Sequence, residues 1–372
     1  MQFLCTRCNT SYKESPLRYQ CDCGYPLSIQ KHPSARYSVD SITQSPTMSL
    51  WRYRSAFPIT TATPPVTLHE GITPIIPLLP DDASHYVKLD YLCPTGSYKD
   101  RGASVLITYL KSLGVTEIVE DSSGNAGAAI AAYAARAGMR CTIYCPETTS
   151  KSKLNQISAY GAELKLIPGN RMATTEAVKK AAQNTCYASH NWHPVFLEGT
   201  KTIAYEIIEQ LHETSPTHVI CPVGFGSIYL GLYLGFKELY DAGIIEHLPR
   251  LLGVQPDTCC PIYNAYRNKT STITRIPQTA PTLAEGITAE LPIRANQILD
   301  TIRSTNGAFT TVNDTDIKAG QKTLAEKGIY VEPTSAVVMK AYQKFQQEGI
   351  IKSGDTTVSI LTGSGLKVTT YL

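Results

Sequence analysis

Two segments of the sequence carry residues that could do chemistry on one small molecule. Lys99 stands in the turn 94–102, Pro-Thr-Gly-Ser-Tyr-Lys-Asp-Arg-Gly, where a helix is predicted to begin. A desolvated lysine forms imines with carbonyls, because burial favours its neutral amine. Gly224, Gly226 and Ser227 follow a predicted strand and open a predicted helix, an arrangement that binds phosphate through backbone N–H groups. Pyridoxal phosphate is an aldehyde that bears a phosphate, so the two segments together suit this cofactor.

Each of these segments also has a simpler interpretation. A lysine in a turn is most often a solvated charge, and 224–227 could be a purely structural turn. A dinucleotide-binding turn is a further alternative, but the third glycine of that fingerprint is displaced to Gly231. Two more glycine-rich turns, 122–127 and 362–365, stand at predicted element junctions. Because ligands bind beyond the carboxyl ends of strands in open α/β sheets, we expect all four turns to line one pocket.

The turns connect segments whose hydrophobic periodicity alternates between that of a strand and that of a helix. The predicted helices span 103–113, 126–137, 153–160, 202–211, 228–240, 314–326 and 335–347. The predicted strands span 141–145, 163–167, 218–221, 251–254 and 357–361. This alternation predicts an α/β fold with open, mostly parallel sheets and helices on both faces.

Length and composition narrow the class of protein. A chain of 372 residues exceeds the size of a single compact core, so we expect at least two lobes. With 42% apolar and 17% charged residues, the composition is that of a globular protein. A net charge of +3 gives no electrostatic reason to expect a nucleic-acid or membrane partner. Because there is no apolar run of bilayer length and no export signal near Met1, we expect a cytoplasmic protein.

Four of the eleven cysteines are concentrated near the start of the chain. Cys5 and Cys8 form one close pair, and Cys21 and Cys23 form a second. Two such pairs joined by a loop supply the four thiolates of a tetrahedral zinc site, so residues 1–30 are predicted to form a zinc-ribbon-like module. The second pair has a single intervening residue, and the alternative is four reduced thiols without a metal. In either case the module would be structural.

Two other groups of polar residues are interpreted as structural. His190, Trp192 and His193 suggest a metal site, but matching carboxylates or cysteines are missing, and we interpret the cluster as packing. Asp100 and Arg101 are interpreted as a helix cap or an ion pair rather than as catalytic residues.

The order of the motifs resembles that of the fold-type II pyridoxal-phosphate enzymes of the tryptophan synthase β-like superfamily, most closely the threonine synthase branch. The block 94–102 matches the family's Pro-Thr-Gly-Ser-Phe-Lys-Asp-Arg-Gly, with Tyr98 in place of phenylalanine, and 122–126 matches its Ser-Ser-Gly-Asn-Ala. The further segments that resemble threonine synthases are 198–206, 283–287, 332–336 and 362–367. The cysteine pairs resemble a ribbon found in some members and in the related cysteate synthases. The resemblance spans nearly the whole chain and implies two open, mostly parallel sheets.

The resemblance implies a role for each matched residue. Lys99 would bind the cofactor aldehyde covalently and then move protons at the substrate α-carbon and beyond. Asn125 would hydrogen-bond the cofactor 3′-oxygen, and Thr362 would face the pyridine nitrogen. The residues implied to bind the phosphate are Gly224, Phe225, Gly226 and Ser227. The residues implied to bind substrate are Ser97, Ser122, Ser123, Gly124, Ala126 and Lys153. Among the latter, the N–H groups of 123–126 would bind a carboxylate at a helix N-terminus.

Several positions depart from the threonine synthase pattern. Phe225 and Ser227 replace asparagines in the family's phosphate turn, and Cys93 replaces an asparagine before the lysine block. Phe196 stands where the family has an arginine that binds the phosphate of O-phosphohomoserine, and a phenyl ring cannot replace a guanidinium. The cations that could compensate are Lys151, Lys153 and Arg171. Otherwise, the leaving group is not phosphate.

The resemblance therefore implies an enzyme that eliminates or replaces a substituent on an amino acid. The leading reaction converts O-phosphohomoserine and water to threonine and phosphate. The alternatives are β-replacement on O-phosphoserine or a similar substrate, as in cysteate or cysteine synthases, and deamination of serine or threonine. A non-enzymatic alternative is a degenerate homologue that binds amino acids. The family also implies a homodimer.

The motifs and the resemblance together predict the domain boundaries. We expect the module at 1–30, a linker at 31–60, a large α/β domain formed by 61–95 and 205–372, and a small α/β domain at 96–204.

Overall fold

The computed structural model describes residues 1–30, 37–38, 45–59, 62–149, 151–169 and 171–368, without the side chains of 151–153. The chain forms two compact units. The first unit comprises Met1–Ile72 and Cys93–Thr200, and the second comprises Thr73–Leu92 and Lys201–Leu372. Within the described residues, no helix combines the length and the apolar character that crossing a membrane requires.

The elements of the described residues are numbered from the N-terminus. The strands are β1 (Gln2–Cys5), β2 (Ser11–Lys13), β3 (Leu27–Gln30), β4 (Ile75–Leu79), β5 (Asp82–Lys88), β6 (Glu117–Glu120), β7 (Arg140–Pro146), β8 (Glu163–Ile167), β9 (Cys186–Tyr187), β10 (His218–Pro222), β11 (Arg250–Pro256), β12 (Ala308–Val312) and β13 (Thr357–Ile360). The α-helices are α1 (Lys99–Ser112), α2 (Asn125–Ala137), α3 (Lys151–Ala159), α4 (Arg171–Ala181), α5 (Val195–Thr200), α6 (Thr202–Gln210), α7 (Ser227–Asp241), α8 (Pro261–Arg267), α9 (Ala295–Ser304), α10 (Asp314–Ala325) and α11 (Pro333–Gln347). Short 3-10 helices lie at Leu50–Ala56, Asp90–Leu92, Glu285–Ile287 and Gly365–Lys367. Every predicted helix and strand is present, with ends that differ by a few residues.

The N-terminal residues of the first unit form a three-stranded antiparallel sheet in the order β2-β1-β3. The side chain of Phe3 is fully buried, and its ring packs edge-on against Tyr109 and His193. The ring of Tyr19 packs in the same way against Trp192. The interpretation of His193 and Trp192 as packing residues is therefore confirmed, because both contact aromatic rings of the N-terminal module.

The rest of the first unit is built on a four-stranded parallel sheet in the order β8-β7-β6-β9. Helix α2 follows β6 and is rich in alanine, which lets its backbone pack closely on its neighbours; its residues 126–134 are buried. The helix ends at Gly138, which adopts the left-handed conformation that a glycine accepts without strain. The carboxyl ends of β6 and β9 lie side by side, so the loops that follow these strands are neighbours.

The second unit is built on a six-stranded sheet in the order β12-β11-β10-β13-β5-β4. The first five strands of that order pair in parallel, and the edge strand β4 pairs antiparallel with β5. Helix α11 packs on this sheet through a buried apolar face that includes Val337 and Phe345. The predicted α/β fold with two open, mostly parallel sheets is thus confirmed.

The unit boundaries differ from the expected domains near residues 50–72. Trp51, placed in the expected linker, is buried, and its Nε1 donates hydrogen bonds to Glu70 (3.1 Å) and Ser104 (2.9 Å). The N–H of Val66 donates to the Thr108 hydroxyl at 2.8 Å. These buried polar contacts attach the segment to helix α1, so 62–72 belongs to the first unit and not to the large domain. The second boundary is at Lys201 rather than 205.

Candidate active site

Lys99 is the first residue of helix α1, and the turn before it is held by its own side chains. The Asp100 carboxylate accepts hydrogen bonds from the Thr95 N–H at 2.6 Å and from the Thr95 hydroxyl at 2.5 Å. Asp100 thus caps the turn, as expected. The Lys99 ammonium is half-buried, donates a hydrogen bond to the Tyr98 hydroxyl, and lies 4.3 Å from the centre of the Tyr98 ring. The lysine therefore occupies a defined position at a helix N-terminus.

The surroundings of this turn leave one polar group unmatched. The Ser97 hydroxyl is fully buried and has no hydrogen-bond partner among the described residues. Buried hydroxyls are normally paired, so an orphan two residues from Lys99 is what a ligand-binding turn would show. This observation fits a polar ligand bound at Lys99.

Phe196 lies in the core of the first unit, on helix α5. Its ring is fully buried and sits on Gly102, where a Cβ would approach within 2.4 Å of the ring. The close approach of α5 to α1 is repeated at Gly199, where a Cβ would lie 2.0 Å from the Arg101 carbonyl oxygen. Position 196 is therefore a packing position in this chain, and the surrounding residues leave no room for a guanidinium directed at a ligand.

The turn 122–126 connects the carboxyl end of β6 to helix α2. Helix α2 begins at Asn125, with Gly124 as the residue before it, so no side chain of that residue covers the first N–H groups. A Cβ at Gly127 would lie 1.8 Å from the Ser122 carbonyl oxygen, so only glycine allows the helix to approach this turn. Ser123 and Asn125 are half-buried. The arrangement presents helix N-terminal N–H groups suited to a carboxylate.

Two buried acids at the end of β6 were not predicted as site residues. Glu120 lies 2.5 Å from Nδ1 of His190, and both side chains are buried. Burial and the charge of Asp121 raise the pKa of Glu120 well above its ordinary value. Burial, followed by the charges of Lys99 and Arg171, lowers the pKa of His190 well below its ordinary value. Both shifts favour the uncharged forms of the two groups.

The neighbouring Asp121 is hydrogen-bonded to hydroxyl groups rather than to a histidine. Its carboxylate accepts from the Tyr187 hydroxyl at 2.7 Å and from the Thr175 hydroxyl at 3.1 Å, and Arg171 is 3.9 Å away. Glu120 and Asp121 are consecutive acids that directly follow the apolar residues of β6, where exposed charge is not expected. This pair is the feature of the sequence from which a functional site could have been predicted here.

In the second unit, the turn 224–227 follows β10 and opens helix α7. Gly226 has φ +94°, in the left-handed region that favours glycine, and a Cβ there would lie 2.6 Å from Ile298 Cδ1. A Cβ at Gly224 would lie 2.9 Å from the Ile287 Cα. Because neither glycine can carry a side chain, an anion can approach the backbone of the turn and the N-terminus of α7 closely. The residues present fit a phosphate group.

Thr362 follows β13, at the same carboxyl edge of the second-unit sheet as the turn 224–227. Its position is fixed by Ser335, which was not among the predicted site residues. The Ser335 hydroxyl lies 2.9 Å from the Thr362 hydroxyl and accepts hydrogen bonds from the N–H groups of Thr362 (3.0 Å) and Gly363 (2.8 Å). A Cβ at Gly363 would lie 2.3 Å from the Glu332 carboxyl group. The segment 332–336 thus positions the turn, which gives this part of the family resemblance a structural reason.

The four N-terminal cysteines come together as predicted. Their sulfur atoms all lie within 4.8 Å of one another, and the Cys5–Cys23 and Cys8–Cys21 sulfur pairs are each 3.5 Å apart. Zinc–sulfur bonds of about 2.3 Å in a tetrahedron place sulfur atoms roughly 3.8 Å apart. The donor set and its spacing therefore fit a tetrahedral metal ion.

The predicted site residues divide between the two units. Lys99, Ser97 and the turn 122–126 belong to the first unit, whereas 224–227 and Thr362 belong to the second. The Lys151 and Lys153 side chains lie outside the described residues. Arg171 is partly exposed and lies nearest to Asp121 among its described carboxylate partners.

Comparisons with known proteins agree with this chemistry. A model of the pyridoxal-phosphate-dependent enzymes matches residues 66–363, most of the chain. Threonine synthase from Methanocaldococcus jannaschii is 36% identical, with 98% of this chain and 92% of that protein aligned. Threonine synthase from Methanosarcina acetivorans is 34% identical over 98% of this chain and 91% of that protein. An L-serine ammonia-lyase structure from the fungus Rhizomucor miehei superimposes with a TM-score of 0.69 at 20% identity, covering 79% of this chain and 94% of that one.

These findings confirm the predicted resemblance to threonine synthases and the fold-type II architecture. They also confirm pyridoxal phosphate as the cofactor and a pyridoxal-phosphate-dependent lyase as the type of enzyme. The similarity to threonine synthases over nearly the whole chain favours an enzyme over the non-enzymatic alternative. From its sequence and its fold, this chain belongs to the family of pyridoxal-phosphate-dependent enzymes.

Proposed function

We propose that this enzyme is a threonine synthase, which converts O-phosphohomoserine and water to threonine and phosphate. The observation that carries the proposal is its similarity, over nearly the full length of both chains, to the two threonine synthases. Lys99 and the turn 122–126 of the first unit and the turn 224–227 of the second unit support it, because amino-acid chemistry of this kind needs an amine, a carboxylate site and a phosphate site.

The proposed roles of the residues follow from their positions. Pyridoxal phosphate supplies the electron sink that makes protons next to the substrate nitrogen removable. Lys99 would hold the cofactor aldehyde, and its amine would move protons at the substrate carbons. The N–H groups at the start of α2 bind the substrate carboxylate, and the side chain of Asn125 orients the ring. The hydroxyl of Ser97 is a polar partner for the substrate.

In the second unit, we assign the cofactor phosphate to the turn 224–227. Thr362 is assigned to the pyridine nitrogen, and Ser335 fixes its position. A neutral hydroxyl at the nitrogen does not stabilise a full positive charge there, and this favours elimination and replacement over transamination.

The experiment compares four substrates with the purified, cofactor-loaded enzyme: O-phosphohomoserine, O-phosphoserine, serine and threonine. Threonine and phosphate formed in equal amounts from O-phosphohomoserine are the expected result. The burial of Phe196 in the core, in place of the family's arginine, supplies no guanidinium for a substrate phosphate and favours deamination of serine or threonine as the second candidate. Ammonia and 2-oxoacid released from serine or threonine, without threonine from O-phosphohomoserine, would select that candidate and reject the first.

We propose further that Cys5, Cys8, Cys21 and Cys23 hold a structural zinc ion. The spacing of the four sulfur atoms supports this assignment. Metal analysis should find about one zinc per chain and a loss of zinc in Cys8→Ser. Cys260→Ser, which changes a cysteine outside the cluster, is the matched control and should keep the metal. Equal zinc content in both variants would contradict the assignment.

The proposal extends to assembly and location. All eleven cysteines of the described structure carry free thiols, which is typical of a reducing compartment and supports a cytoplasmic enzyme. A homodimer is proposed from the family resemblance, and light scattering of the purified enzyme measures its mass directly.

A further inference from the structure

The aromatic residue before Lys99 departs from the family motif in a way that matters chemically. The motif has phenylalanine at this position, and Tyr98 adds a single hydroxyl group to the ring. That hydroxyl accepts a hydrogen bond from Lys99 Nζ, and the same nitrogen lies 4.3 Å from the centre of the ring. Tyr98 is 8% exposed, so most of its surface is removed from water. The one atom that distinguishes this chain at position 98 therefore contacts the reacting nitrogen.

The contact is not a consequence of sequence adjacency. Consecutive residues of a helix point in different directions and do not normally touch. Tyr98 is the residue before the first turn of α1, with φ −57° and ψ −15°, and Lys99 is the first residue of the helix. The lysine side chain folds back over the tyrosine ring. The ring face and the hydroxyl oxygen are both electron-rich, and both attract the N–H groups of the lysine.

We propose that the Tyr98 hydroxyl is a further catalytic residue, which holds the Lys99 ammonium by a hydrogen bond between the proton transfers that the lysine carries out. The proposal rests on the proposed function in that Lys99 must move protons at substrate carbons. The hydroxyl is the acceptor, and the ammonium is the donor. No bond to Tyr98 forms or breaks, and the proton remains on Nζ until it is returned to the substrate.

Other charged groups around Lys99 must be considered, because they also act on its protonation. On its own helix, Asp100 directs its carboxylate to Thr95. The His190 ring, after β9, interacts electrostatically with Lys99, and burial favours its uncharged form. Of the two helices packed on α1, α2 contributes Tyr133, whose hydroxyl is bonded to Glu70, and α5 contributes the buried Glu198. Removing the Tyr98 hydroxyl leaves all these groups in place.

The first measurement uses the cofactor-free chain and an amine-reactive reagent, with the labelling rate of the Lys99 peptide followed by mass spectrometry at a fixed pH. In Tyr98→Phe the nitrogen loses its hydrogen bond to the tyrosine hydroxyl, so Lys99 should be labelled roughly tenfold faster. Tyr98→Leu also removes the ring, and its Lys99 should be labelled faster still. Circular dichroism shows whether each variant keeps its fold, and the phenylalanine of the family motif makes Tyr98→Phe the variant best tolerated.

Tyr144→Phe is the matched control. Lys165 lies 5.5 Å from the centre of the Tyr144 ring, so this variant removes a tyrosine hydroxyl beside a lysine elsewhere in the same unit. It should leave both the labelling rate of Lys99 and the activity unchanged. Unchanged Lys99 labelling in Tyr98→Phe would overturn the hydrogen bond on which the proposal depends.

The second measurement is steady-state turnover by the loaded enzyme. Because the ammonium forms during the reaction and not on substrate binding, Tyr98→Phe should lower kcat roughly a hundredfold and change KM by less than about twofold. A wild-type kcat in Tyr98→Phe, together with faster labelling of Lys99, would reject the catalytic role while keeping the contact. Absence of any turnover by wild-type enzyme would reject the proposed function instead, and the labelling result would stand independently.

Discussion

The carboxyl edges of the two sheets are built from different kinds of groups. The edge of the first unit carries buried or half-buried titratable side chains, namely Lys99, Glu120, Asp121 and His190. The edge of the second unit carries glycines and hydroxyls at Gly224, Gly226, Ser335 and Thr362, and these groups are neutral throughout the physiological pH range. The first edge can therefore exchange protons, whereas the second edge can only recognise shape and charge.

This difference predicts two kinds of sensitivity. In the first unit the function depends on which groups carry protons, because burial and neighbouring charges shift their equilibria. In the second unit it depends on backbone geometry, since two glycines are within contact distance of fixed neighbours. Changes of pH should therefore affect function mainly through the first unit, and substitutions of glycine should affect it mainly through the second.

The largest effect is expected from Lys99→Ala, which removes the amine of the first unit. Activity should fall by at least roughly 10⁴-fold, the scale on which loss of a catalytic nucleophile acts. The purified variant should also lack the visible absorbance of covalently bound cofactor that borohydride removes from wild type. Unchanged circular dichroism provides the control for folding. Wild-type absorbance retained by the variant would show that another amine holds the cofactor.

Phe196→Arg should cost about 3–5 kcal/mol of stability, because it buries an unpaired charge against Gly102. Phe196→Leu keeps an apolar side chain and should cost less, about 1–1.5 kcal/mol. Thermal unfolding followed by circular dichroism compares the two variants. Gain of activity on phosphorylated substrates in a stable Phe196→Arg enzyme would mean that position 196 reaches the ligand after all.

The pH dependence of stability should divide between His190 in the first unit and His85 in the second. Burial lowers the pKa of His85 to about 4 from an ordinary 6.5. A lowered pKa contributes stability that is present above pH 6.5 and is lost as the pH falls to about 4, by about 3 kcal/mol for His85. The pKa of His190 is lowered well below 6.5, so its contribution is lost over the same range and continues to fall below it.

His85→Gln and His190→Gln each remove one of these contributions. Between pH 7 and pH 4, the melting temperature of each variant should fall less than that of wild type. Melting curves measured at several pH values test this expectation. The same pH dependence in wild type and in both variants would assign the acid sensitivity to other groups, such as His218, whose pKa burial also lowers.

Gly226→Ala should have the smallest effect on stability. It should, however, weaken cofactor binding specifically. Its φ of +94° costs an alanine about 1 kcal/mol, and Gly243→Ala at φ +71° should cost a similar amount. A Cβ at 243 meets nothing within 4 Å, whereas one at 226 collides with Ile298. Titration with pyridoxal phosphate should show weakening by roughly tenfold to a hundredfold in Gly226→Ala alone. Equal weakening in both variants would attribute the effect to backbone strain rather than to the phosphate turn.

Local sequence determined much of the fold and of the site. The periodicity of the helices at 227–241 and 333–347 was sufficient to locate them, because an apolar face repeats along each one. The strands β6 and β9 were not predicted, since they have only four and two residues and are bounded by polar neighbours. Lys99, the glycine turns and the cysteine pairs could be predicted because each needs only a short motif whose chemistry is local.

The sequence by itself determined the class of the fold and predicted which residues carry the chemistry: one lysine, two glycine turns and four cysteines. Tertiary structure alone decided that Phe196 is a core residue, that Ser335 positions Thr362, and that Glu120 and His190 are in contact where burial disfavours their charged forms. The physical reason is that burial and pairing join residues far apart in the chain, and the protonation of a group depends on those neighbours rather than on its own motif.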